Sequence, residues 1–154
     1  MTQPHRTGQI IVGLDRSGHD HVVLAAALDH VRHTASAIRV VHAIPPDTAT
    51  AMAPTDAATR AAWSADRQAR HQTATEDLRR HLTKTTDDLG AHITVDYDVR
   101  HGDPATVLLS AARHADLIVI GTCGTGHRSP FLLGTVSQDI AVHATCPVLL
   151  VPTS

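Results

Sequence analysis

Aromatic side chains are nearly missing from this chain: one Trp, one Tyr and one Phe, 2% of 154 residues. A core must therefore be assembled from Val, Ile, Leu and Ala. Cysteine is equally scarce. Cys123 and Cys146 are too few for a disulfide-stapled scaffold and are read as free thiols. No apolar run approaches the roughly 20 residues of a membrane span. Met1 to Gly8 is polar and lacks the apolar core of a signal peptide, so a cytoplasmic location is expected. The formal net charge is −2 and there is no basic stripe, which argues against a general nucleic-acid binder.

What is present is ordinary globular material, 42% hydrophobic and of a length that suits one core, so residues 1–154 are expected to form a single domain. The thirteen histidines are scattered and read as polar surface, His42 and His101 included. Neither the pair Cys123 and His127 nor the pair His143 and Cys146 supplies the three or four converging ligands of a zinc site, so no metal site is expected.

Along the chain, strand-like and helix-like segments alternate, the pattern of a parallel sheet with crossover helices. Ile10-Ile11-Val12 and Leu117-Ile118-Val119-Ile120 are continuous apolar runs, as expected of central strands covered on both faces. Ile38 to Ile44 is a further strand. Ala91 to Arg100 alternates, with Ile93, Val95, Tyr97 and Val99 facing one way and Asp96 and Asp98 on a wet face. It is read as an edge strand. Val148 to Val151 is the last strand. Helices are predicted over Val22 to Val31, Ala57 to Leu89 with an exposed or frayed first half, Ala105 to His114 capped by Asp103, and from Thr135. Thr135 and Gln138 have the spacing of a capping box. Residues 45–57, rich in Pro, Ala and Thr, are expected to be a mobile loop.

Five strands and four helices under these constraints give an α/β, flavodoxin- or Rossmann-like sandwich with parallel strand order 3-2-1-4-5. The last strand is apolar on both faces yet lies at an edge, a hazard if left open. Pairing with the same strand of a second copy predicts a homodimer through Val148, Leu149, Leu150 and Val151.

In such sheets the ligand sits beyond the carboxyl ends of the strands, where their order reverses. Two loops meet there, Gly13 to Gly18 and Gly121 to Gly134. The second is glycine-rich and runs into a helix start, a combination that cradles phosphate. It is not a Walker A loop, because His127 stands where that motif needs Lys. It is not the dinucleotide fingerprint, because Ser129 stands where the third glycine belongs.

Gly121-x2-Gly124-x9-Gly134-Thr135 instead resembles the G-x2-G-x9-G-[ST] signature of the ATP-binding branch of the universal stress protein family. The resemblance extends over IIVGLD at 10–15, VVHAI at 40–44, HGDPATVLLSAA at 101–112, ADLIVIGT at 115–122 and LLGTVSQDIAVHATCPVLLV at 132–151, with a core of 8–152. It implies ATP in the crevice and a dimer through the last strand. By position, Asp15 and Ala43 are expected beside the adenine and ribose, and Ile120 near the sugar or base. Gly121, Gly124, Gly134, Thr135 and Val136 are expected on the phosphates. Ala43 and Thr125 depart from the family's usual Val and Lys or Arg; Arg128 is the candidate for the missing charge. Mg²⁺ would be held by phosphates and water.

The expected function is an adenine-nucleotide-binding stress or signalling module, with turnover absent or slow and no catalytic residue assigned. The alternatives are a slow ATPase or nucleotide hydrolase, for which Asp15 is the only acid placed at the crevice, and a nucleotide-independent interaction protein.

Overall fold

A computed structural model describes residues 8–16, 18–34, 36–46, 53–90, 93–122 and 133–153. The elements run β1 (Gly8–Gly13), α1 (Asp20–Val31), β2 (Ser36–Ile44), α2 (Ala57–Asp88), β3 (Val95–His101), α3 (Pro104–Ala111), β4 (Leu117–Gly121), α4 (Thr135–His143) and β5 (Val148–Val151). The five strands form one sheet in the order β3-β2-β1-β4-β5, and every pairing is parallel. The strand order read from the sequence is the one observed.

Side-chain alternation along the strands divides the interior into two halves. Ile10 and Val12 of β1 join Val23, Leu24, Ala27 and Leu28 of α1 and Leu78 and Leu82 of α2. Ile11 faces the other way, into a half built with Ile118 and Ile120 of β4, Val107 and Leu108 of α3 and Ile140 of α4. Both halves are aliphatic, as the lack of aromatics required. Ile11, Val12, Val40, Ile118 and Val119 are fully buried, which explains the unbroken apolar runs in β1 and β4.

Three sequence expectations need correction. Helix α4 is capped by Gly134, not Thr135, and has no side-chain cap. Gln138 donates from Nε2 to the Leu133 carbonyl at 3.0 Å, so the capping box does not form. Gly134 already has the extended backbone an N-cap needs, which moves Thr135 to the first helical position. Strand β3 starts at Val95, leaving Ile93 ahead of it. Of the residues expected to face inward, only Val99 is buried, and Tyr97 is exposed because the strand lies at the sheet edge. Helix α1 begins at Asp20, two residues before the expected Val22 and three before Val23, the first buried apolar position of its stripe.

Helix α2 is continuous over 32 residues, so its first half is exposed but not frayed. Asp56 caps it, accepting from the Thr59 amide at 2.8 Å. Leu78 and Leu82 dock its second half. Midway, His71 Nε2 lies 2.7 Å from the Val99 carbonyl and His101 Nε2 lies 3.1 Å from the Arg67 carbonyl, a reciprocal clasp between α2 and β3. His101 is therefore not idle surface.

Candidate functional site

Strands β1 and β4 are neighbours, but the chain leaves them toward opposite sides of the order, toward β2 from β1 and toward β5 from β4. Between their carboxyl ends the described residues leave a cavity of about 330 Å³. That volume is at the lower end of the roughly 300–1,000 Å³ typical of small-molecule sites.

The cavity brings together Asp15, Ala43, Ile120, Gly121, Gly134, Thr135 and Val136. Seven of the nine residues singled out from the sequence thus line one space, although they come from four separate segments. The other two, Gly124 and Arg128, lie outside the described residues, as do Cys123 and His127. Ala43 and Ile120 are buried and, with Leu108, give one wall an apolar surface.

The polar side is held by backbone. Thr122 donates its amide to the Val151 carbonyl at 2.9 Å, and its own carbonyl accepts from the Gly134 amide at 2.9 Å. This closes the neck of the glycine-rich loop and delivers α4 to the cavity rim. Ser137 Oγ donates to the Gly121 carbonyl at 2.8 Å, tying the first turn of α4 to the end of β4. Helix geometry leaves the first-turn amides of α4 without intrahelical partners, and residues 134–137 all line the cavity. A second helix start, His19 and Asp20 of α1, lines it as well. Two positive dipole ends therefore converge on one space, an arrangement that favours an anion.

Two glycines at the strand ends are explained by packing. A Cβ on Gly121 would meet Thr153 Cγ2 at 2.8 Å. A Cβ on Gly13 would meet Ile120 Cγ2 and Leu108 Cδ1, each at 2.9 Å. Both residues line the cavity, so close packing and an open crevice are achieved by the same missing side chain. Beyond β1, Arg16 adopts a left-handed backbone with φ of 63°, turning the chain sharply between Asp15 and α1.

Sequence reasoning missed several lining residues. His42, read as surface, is half-buried against the cavity and its Nδ1 donates to the Leu14 carbonyl at 2.9 Å, leaving Nε2 as the second polar atom of the ring. Asp20 is 3% exposed, so Asp15 is not the only acid at the crevice. Burial pushes the Asp20 carboxyl above its ordinary range and the Asp15 charge adds to this, against the opposing pull of His81. Ser137 and Thr153, both buried, were also missed. The alternation of Ala43 with His42 could have flagged the latter; nothing in the local pattern marks Asp20. Among the described residues no group of three or more His, Cys, Asp or Glu side chains could hold a metal ion. No described helix is long and apolar enough to cross a membrane.

Comparison with known proteins agrees with this architecture. The model of the Universal stress protein family matches residues 7–152. Universal stress protein Rv2028c of Mycobacterium tuberculosis is 30% identical over 153 residues, covering 98% of this chain and 50% of that protein. The chain thus spans about half the length of that relative. Among solved structures, universal stress protein UspA from Lactobacillus plantarum superposes with a TM-score of 0.72 at 18% identity, covering 96% of this chain and 99% of the other. A universal stress protein in complex with cAMP gives 0.65 at 20% identity, covering 96% and 98%. The Archaeoglobus fulgidus protein in complex with dAMP gives 0.57 at 20% identity, covering 95% and 98%.

Proposed function

The chain belongs to the universal stress protein family, and we propose that it is an adenine-nucleotide-binding module, with ATP as its nucleotide and a homodimer as its working form. The observation that carries this reading is the convergence of the α1 and α4 N-termini on a cavity with one apolar wall. A nucleotide asks for those two surfaces together. Its base needs apolar contact, and its phosphates need backbone amides and positive dipole ends.

In this reading Asp15 and Ala43 flank the base and ribose, and Ile120 packs near the sugar or base. Gly121, Gly134, Thr135 and Val136 attend the phosphates, with Gly124 and Arg128 of the loop completing the cradle. Mg²⁺ is carried by the phosphates and water. Two structural neighbours bound to cAMP and dAMP support the adenine class. The step from that class to ATP rests on the spacing Gly121-x2-Gly124-x9-Gly134-Thr135.

The module binds and signals, with slow hydrolysis as the second reading because Asp15 stands in the cavity. Steady ADP release that disappears in Asp15→Ala while ATP binding persists would establish hydrolysis. Binding itself is tested by denaturing the purified protein and identifying released small molecules by mass spectrometry. A stoichiometric adenine nucleotide is expected. Protein that emerges nucleotide-free and stays so after incubation with millimolar ATP would refute the reading.

A further inference from the structure

The cavity wall holds a buried acid that the nucleotide reading does not use. Asp20 opens α1, is 3% exposed and lines the cavity. Its Oδ2 lies 3.1 Å from His81 Nε2, which reaches across from α2. The contact is an ion-pair distance but off the line of a hydrogen bond, and His81 Nε2 has no other partner among the described residues. The described lining of the cavity includes no Lys or Arg. An ionised Asp20 therefore faces any incoming phosphate from a described wall whose nearest fixed cation, Arg16, stands outside the lining.

A proton resolves this conflict. The pair is net neutral when it holds one proton between carboxylate and imidazole, and carries one negative charge when it holds none. Burial opposes the charge on both partners, pushing Asp20 up and His81 down. The groups facing them are Asp15 and Arg16 from the loop after β1, Lys84 from α2, and His19 and His42 around the cavity. Arg16 and Lys84 act on His81 in the same sense as burial, and Asp15 acts on Asp20 in the same sense as burial; His81 and Arg16 oppose burial at Asp20, and Asp20 opposes it at His81. An anion entering the cavity raises the proton affinity of whatever carboxylate it faces, and linkage requires the converse.

Resting on the reading of this cavity as a nucleotide site, we propose that Asp20 and His81 make that binding proton-coupled: the cavity takes up an anionic nucleotide together with one proton from solvent, held by the pair. Affinity then strengthens as pH falls, and Asp20 sets how strongly the site discriminates by ligand charge. The pair is a positioning and tuning element, with no part in any bond-breaking step.

Titration calorimetry with Mg-ATP at pH 8, repeated in buffers of different ionisation heat, counts the protons taken up on binding. The wild type is expected to take up as much as about one proton more than Asp20→Asn, which cannot titrate there. Asp20→Asn is expected to bind roughly three- to tenfold more tightly than wild type at pH 8, the effect of removing one unit charge from a partly wet site. That advantage should shrink toward pH 6. His81→Gln provides the same comparison from the other partner should Asp20→Asn fail to fold, and is expected to lower proton uptake. His19 and His42 remain in both variants, so their contribution cancels. ATP binding with equal proton uptake and equal affinity in wild type and variants overturns this inference while leaving the nucleotide reading intact. Absence of ATP binding in all three proteins overturns both.

Discussion

Gly13 ends β1 where Ile120 and Leu108 press in from two other elements, and the space for a methyl group is not there. Gly13→Ala must displace a β-branched neighbour in the wall of the cavity. It is expected to destabilise the fold by about 1–3 kcal/mol, read as a lower midpoint in urea without a change in slope. At this scale the sequence was informative wherever a residue type has few uses. A glycine at a strand end, or the run to Gly134-Thr135, marks cavity positions by residue type alone. Asp20 was illegible for the opposite reason. An acid in the first turn of a helix is so common a complement to the dipole that it marks nothing. Its burial depends on His81, 61 positions later on a different helix. His42 was misread because alternation tells which face a strand residue takes but not whether that face continues to the end of the strand.

Helix α2 shows how one element can hold two different roles. Its second half is docked by Leu78 and Leu82, its first half is exposed, and the His71–His101 clasp sits near the boundary. The two rings stand 5.9 Å apart. Burial first, and then the Arg67 charge, hold the His101 imidazole below its ordinary range. The unfolded chain therefore binds a proton at His101 more readily than the folded one does. Stability is fully present above the unfolded value of 6.5 and falls as pH drops below it toward the lower folded value. The midpoint of thermal unfolding should decline between pH 7.5 and 5.5. His101→Gln, which keeps a donor for the Arg67 carbonyl without a titrating ring, should flatten part of that decline; an unchanged slope would remove the clasp from the account. Periodicity made α2 legible in its packed half, through Leu78 and Leu82, and an exposed first half was expected. The clasp was not legible, because it depends on β3 and α2 meeting in register. The start of α4 at Thr135 was legible; its cap was not, because a hydroxyl was granted the role when the glycine before it already had the required backbone.

For the whole molecule the same alternation that gave the sheet order also leaves β5 as an edge, four residues long, with Leu149 exposed, and Val142 of the preceding helix α4 is exposed as well. Dimerisation through this edge is the arrangement proposed here. Leu149→Asp should shift the protein toward monomer in light scattering after gel filtration, while thermal stability of the protomer changes little. A wild type that is monomeric at micromolar concentration would refute it. The apolar runs of β1 and β4 made the central strands readable, and the alternating β3 and the short β5 then had only the two edges left. What the chain pattern could not convey is the cavity's wall chemistry, which is set by residues drawn from β1, α1, β2, α3, β4 and α4 together. The central claim is that this wall binds an adenine nucleotide, and equilibrium unfolding with and without Mg-ATP tests it most directly. At a nucleotide concentration one hundred times its Kd, wild type should gain about 2.7 kcal/mol of stability. Gly124→Val, in the proposed phosphate loop, should gain little. Equal unfolding curves for wild type with and without millimolar Mg-ATP would contradict the account.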